Sequence, residues 1–193
     1  MEEPGGASRA EVTLCGMSSA ASSRTVLLRW WRLPAAAVLA AIAFAAVGPD
    51  PRALPLIYLA VVTPTLCAAD AAERRLPNGL VLPGYLVAAA AIAAHWLVSG
   101  EPPTIAVISG AVYFVFMLAF SLAGGMGMGD VKLAGVLGLS AGLLGVGAAL
   151  VSPFVAFLLG GVAAIGALRS GTGASIPFGP FLLAGFWVAV VVG

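Results

Sequence analysis

Seven apolar runs, separated by short breaks rich in Gly, Pro and charge, constrain this chain more than any other feature. They cover Leu33 to Val47, Ala53 to Ala69, Leu80 to Val98, Ile105 to Ala123, Leu133 to Val151, Pro153 to Leu168 and Phe178 to Val192. A straight helical crossing of a bilayer needs roughly 20 apolar residues, and most of these runs come close to that length. Inside the hydrocarbon every backbone N–H and C=O must be satisfied within the segment, so runs of this kind become helices. No soluble fold absorbs them. The chain is 61% hydrophobic and 9% charged, where a soluble domain carries about 25% charged residues. The sequence therefore predicts an all-α, polytopic transmembrane bundle of about seven spans, occupying residues 29–193. Residues 1–28, rich in Ser, Ala and Gly, read as a flexible cytoplasmic tail. They do not read as a cleaved signal, because the apolar run that follows leads into further spans.

Charge in the breaks assigns the sides. With the N-terminus inside, the cytoplasmic segments hold Arg9, Arg24, Arg29, Arg32, Arg74, Arg75, Lys132 and Arg169, and the opposite side holds only Arg52. Such a bias places the basic breaks in the cytoplasm and the C-terminus outside. Asp70 closes the second run and Asp130 precedes the fifth, so two crossings return both carboxylates to the same face. Carboxylates at the edge of a bilayer are expensive, which makes each of them a candidate functional residue. The plainer alternatives are an interfacial anchor for Asp70, beside Arg74 and Arg75, and a helix cap for Asp130.

Two carboxylates brought together in a poorly solvated site cannot both ionise easily. They share a proton, one acting as base toward water and the other as acid toward a substrate carbonyl, which is the chemistry of aspartyl proteolysis. The glycines around Asp130, in GMGMGDVKLAG from Gly125 to Gly135, suit this by letting backbone bend and an extended peptide approach. Other chemistries have little to work with. Cys15 and Cys67 form neither a disulfide framework nor a CxxC clip, and His95 is the single histidine, so neither a metal nor another cofactor is expected. Nine basic against eight acidic side chains carry no nucleic-acid signature.

Asp70 followed by ERRLPN, GMGDVKL at 127–133 and IPFGPFL at 176–182 together resemble the landmarks of the type IV prepilin peptidase family, membrane aspartyl proteases of the GxGD type. The resemblance runs from about Ala53 to the C-terminus. It implies that Asp70 and Asp130 are the catalytic pair, and that substrates are type IV pilin-like precursors, including pseudopilins and Flp-type pilins, whose short basic leaders are removed at the cytoplasmic face of a prokaryotic plasma membrane. It further implies a cut after a glycine, at the cytoplasmic end of the precursor's apolar segment. Residues of the same motifs become substrate-binding or site-shaping candidates: Arg75, Pro77, Asn78, Gly127, Gly129, Lys132, Pro177, Phe178, Gly179 and Pro180. Larger members of the family add a cytoplasmic segment with paired CxxC motifs and methylate the trimmed pilin. That segment is missing here, so N-methyltransferase activity is not expected.

Secondary features complete the reading. Gly135, Gly138, Gly142 and Gly145 recur at steps of three and four, a stripe suited to helix packing within the chain or to homodimerisation. Lys132 could bias the proton shared by the carboxylates or bind a substrate acid. Pro177 and Pro180 are expected to interrupt helix, with Gly179 relaxing the turn between them. His95 and Trp96 read as interfacial anchors, and Cys67 as a small buried side chain. The rival reading is a transporter or a non-catalytic assembly subunit of a secretion system, with Asp70 and Asp130 as a proton relay or structural polar contacts.

Overall fold

The structure is a computed structural model and describes residues 30–124, 126–169 and 177–193. Residues 1–28, read above as a tail, and Gly125 lie outside the described residues. Among the described residues there are seven helices and no strands: α1 (Arg32–Val47), α2 (Ala53–Glu73), α3 (Asn78–Ser99), α4 (Thr104–Leu122), α5 (Met128–Leu144), α6 (Val146–Arg169) and α7 (Gly179–Val192). The chain divides into two units, residues 1–35 and 36–193. In the first, the described residues 30–35 carry the exposed Trp30 and Trp31 and begin α1. The second is a helical membrane bundle. α2, α3, α4 and α6 are each long and apolar enough to cross a membrane, and the apolar α1 and α7 are shorter.

α5 forms the middle of the bundle, packing against α3, α4, α6 and α7. From Val131 to Leu143 nearly every residue on it is buried. Its glycines make this possible. A Cβ on Gly138 would lie 2.7 Å from the Ser109 carbonyl, and one on Gly142 would lie 2.5 Å from Ala106 Cα, so α4 rests directly on α5 backbone. Ser109 Oγ completes the contact, 2.9 Å from the Gly138 carbonyl. Gly135 leaves room for the Tyr85 hydroxyl of α3. Three glycines of the stripe are thus covered within the chain, which is the packing use rather than the homodimer use.

The fourth glycine ends the helix. Gly145 adopts φ +124, a region that residues with a Cβ rarely occupy, and α5 stops at Leu144. The break expected at Ser152-Pro153 is therefore displaced, and Pro153 lies inside α6. A proline there cannot donate to the carbonyl four residues earlier, that of Ala149. Tyr113 of α4 takes over, donating its hydroxyl to the Ala149 carbonyl over 2.6 Å. The helix continues because the freed acceptor has a partner.

Two other boundaries differ from expectation, and both matter for the site. α2 runs past Ala69, where the apolar run ends, to Glu73, so Asp70 sits in its last turn and Glu73 is helical and exposed. Arg74 closes that turn in the left-handed conformation, φ 51, and its N–H bonds to the Asp70 carbonyl. α5 begins at Met128, which places Asp130 within its first turn instead of ahead of it.

Candidate active site

Asp70 and Asp130 approach from the C-terminal end of α2 and the N-terminal end of α5, and both line one cavity of about 370 Å³. The local sequence explains how. Gly127 is extended (φ −75, ψ 147) and starts α5, its carbonyl accepting the Asp130 N–H at 3.1 Å. Gly129 is already helical and packs on the α2–α3 connection: a Cβ there would stand 3.0 Å from Leu76 Cβ. Its bareness serves helix docking, a different use from the flexible peptide access expected of it. Leu76 is buried at this junction and joins the cavity wall.

Asp70 is 4% exposed, and its Oδ2 accepts the Gly179 backbone N–H at 3.0 Å. Asp130 Oδ1 is buried and has no hydrogen-bond partner. Around this pair stand cations. Arg74, Arg75 and Lys132 line the same cavity. Among the described residues none of them forms an ion pair; Asp50 pairs with Arg52, and His95 Nδ1 lies 3.9 Å from the Asp50 carboxylate. Lys132 Nζ instead donates to Asn78 Oδ1 at 3.1 Å.

Of the expected site residues, Asp70, Arg75, Asn78, Gly127, Gly129, Asp130 and Lys132 are brought together in the cavity. Pro77 is the N-cap of α3, exposed and not part of the cavity lining. Pro177 precedes α7, and Phe178 is its N-cap, its ring packed on Phe157 and Phe181. Pro180 does not interrupt helix as expected. It occupies the first turn of α7, where a missing N–H costs nothing. Nor does Gly179 relax a turn: its φ lies outside the positive range, and what it provides is closeness to Asp70.

Arg74, Leu76 and Met128 line the cavity without having been singled out for it. For Arg74 the only signal was its place beside Arg75. Tyr58 and Tyr85 were also missed. Tyr58 donates to the Leu80 carbonyl at 2.7 Å, tying α2 to α3, and Tyr85 donates to the Lys132 carbonyl at 2.8 Å, tying α3 to the end of α5 that carries Asp130. Nothing local in the sequence marks these partners. Among the described residues no three His, Cys, Asp or Glu side chains gather as a metal site would require.

No curated protein and no solved structure matches the chain. A family profile does match, over residues 56–165, a segment that holds both aspartates and the α2–α3 connection but ends before α7. With more than half of its length so matched, the chain belongs to the type IV leader peptidase family.

Proposed function

We propose that the protein is a membrane aspartyl endopeptidase that removes the short basic leader of type IV pilin-like precursors, with Asp70 and Asp130 as the catalytic pair. The observation that carries this reading is the shared cavity: two carboxylates 60 positions apart in sequence line it together, one held by a backbone N–H and the other presenting a buried, unpartnered oxygen. In hydrolysis one carboxylate takes a proton from water as the water oxygen attacks the peptide carbonyl carbon. The other, protonated, gives its proton to the carbonyl oxygen. The surrounding low-dielectric helix ends favour a single proton shared by the pair.

Parity and the basic bias support a cytoplasmic site in the plasma membrane, with the C-terminus outside. Lacking a CxxC pair, the chain trims without methylating. The test is cleavage by purified protein in detergent or liposomes. A precursor with a basic leader, a glycine at the junction and an apolar segment beyond it should be cut at the junction. A proton flux in liposomes without any cleavage would replace this reading with the transporter one.

A further inference from the structure

Asp70 belongs to α2, but the group that fixes it comes from the start of the last helix. The Gly179 N–H, which donates to Asp70 Oδ2 at 3.0 Å, is one of the N–H groups at the head of α7 that no carbonyl within that helix can accept. A side chain does not fit there. A Cβ on Gly179 would stand 2.8 Å from Asp70 Oδ2 and 3.2 Å from Cγ. The two helices are also joined farther along, where Trp187 Nε1 donates to Thr63 Oγ1 at 3.1 Å. Thr63 lies about two turns from Asp70 along α2, and Trp187 about two turns from Gly179 along α7, so both contacts fall in register on antiparallel helices. The head of α7 is fixed from a third side by the Phe178 ring, which fills the space left by Gly160 on α6.

We propose that Gly179 is a positioning residue of the peptidase: its backbone N–H orients the Asp70 carboxylate and marks it as the base of the pair. The inference rests on the two-aspartate reading above. An N–H donor stabilises an anionic carboxylate over its acid; the Gly127 backbone also reaches the Asp130 carboxylate, but Asp130 Oδ1 is buried without a partner, and such an oxygen suits the protonated member. Asp70 then takes the water proton as the new C–O bond forms, and Asp130 protonates the carbonyl oxygen. When the diol collapses the C–N bond breaks, the amine leaves with the proton from Asp70, and a diol hydroxyl returns one to Asp130. α7 is thereby part of the catalytic apparatus rather than packing alone.

Two glycine substitutions separate that role from packing. A Cβ on Gly185 would lie 2.7 Å from the Ala156 backbone nitrogen, so Gly185→Ala disturbs only how α7 seats on α6. Gly185→Ala should lower the melting temperature. Gly179→Ala, inserted and melting like the wild type, should lose roughly tenfold to a hundredfold in kcat with KM unchanged, the scale of a displaced catalytic group. A second readout needs no activity. The Cβ position of Gly179 is 3.5 Å from Asp70 Cβ, at the near edge of the disulfide range of about 3.5–4.5 Å. In a chain freed of Cys15 and Cys67, the pair Asp70→Cys with Gly179→Cys should therefore crosslink under mild oxidation. With an active wild type, a pair that refuses to oxidise, or a Gly179→Ala enzyme within about twofold of wild-type kcat, would overturn the proposal. A crosslink in a protein whose wild type cleaves nothing would strike the peptidase reading itself, and the catalytic role of Gly179 with it, while the contact stood.

Discussion

Lys132 Nζ donates to Asn78 Oδ1 over 3.1 Å, although the two residues are 54 positions apart. The contact clamps the start of α3 to the first turns of α5, the turn that carries Asp130. It also gives the lysine a neutral partner, so its charge stays unspent beside the cavity. Asn78→Ala and Lys132→Met should each slow cleavage, and the double variant should be no slower than the worse single one. A coupling of about 1 kcal/mol, roughly fivefold in rate, is expected from a double-mutant cycle. Strict additivity would mean that the two side chains act separately.

The catalytic assignment makes the sharpest forecast. Asp70→Asn and Asp130→Asn are nearly isosteric, but an amide neither accepts the water proton nor supplies the shared one. Each should lower the rate on the order of a thousandfold while insertion stays normal. Glu73→Gln should keep most activity, because Glu73 is exposed at the end of α2 and does not line the cavity. Near-normal processing by either asparagine variant, at normal membrane levels, would end the two-aspartate mechanism.

Orientation can be read by labelling. Single cysteines at Ser99, at the end of α3, and at Ser170, just past α6, should react with an impermeant reagent from opposite sides of the membrane. Labelling of both from one side would contradict seven crossings or the basic-inside assignment.

Mass spectrometry of the processed pilin tests the chemistry that the chain is proposed to lack. The new N-terminus should be unmodified when this protein is the only enzyme present. An N-methylated product would show a second activity housed without a CxxC pair.

The α4–α5 contact sets a stability forecast. Gly138→Ala would drive a methyl group to 2.7 Å from the Ser109 carbonyl, a backbone atom that cannot yield without moving α4. A loss of about 1–3 kcal/mol is expected, visible as earlier thermal unfolding in detergent. Gly147→Ala is the control: nothing lies within 4 Å of a Cβ there, and the helix should hold or gain slightly.

Helix number, helix type and the two aspartates were legible in the sequence because each rests on a local signal: apolar runs long enough for a bilayer, glycine and proline between them, and acids where acids are costly. Boundaries were less legible. Ser152-Pro153 looks like a stop until the Tyr113 hydroxyl is known to reach the Ala149 carbonyl, a partner 36 positions away. Leu133 looked like the start of a span because apolarity begins there, yet the backbone had already turned helical at Met128. The site was legible in its members more than in its bonds. Asn78 and Lys132 could both be named as motif residues, but nothing in their local sequence says that one holds the other. Gly179 could likewise be placed in a motif, and only the packing of α7 on α2 reveals that its N–H meets Asp70.

The bond from Tyr113 to the Ala149 carbonyl makes two distant positions answerable to each other. Tyr113→Phe removes the hydroxyl donor that compensates for proline, at a cost to the Ala149 carbonyl inside α6. The same change made after Pro153→Ala should be nearly harmless, since alanine restores the N–H that the helix itself can use. The order in which a lineage could exchange these residues is therefore not free: the proline must be lost first, and the tyrosine can drift only afterwards.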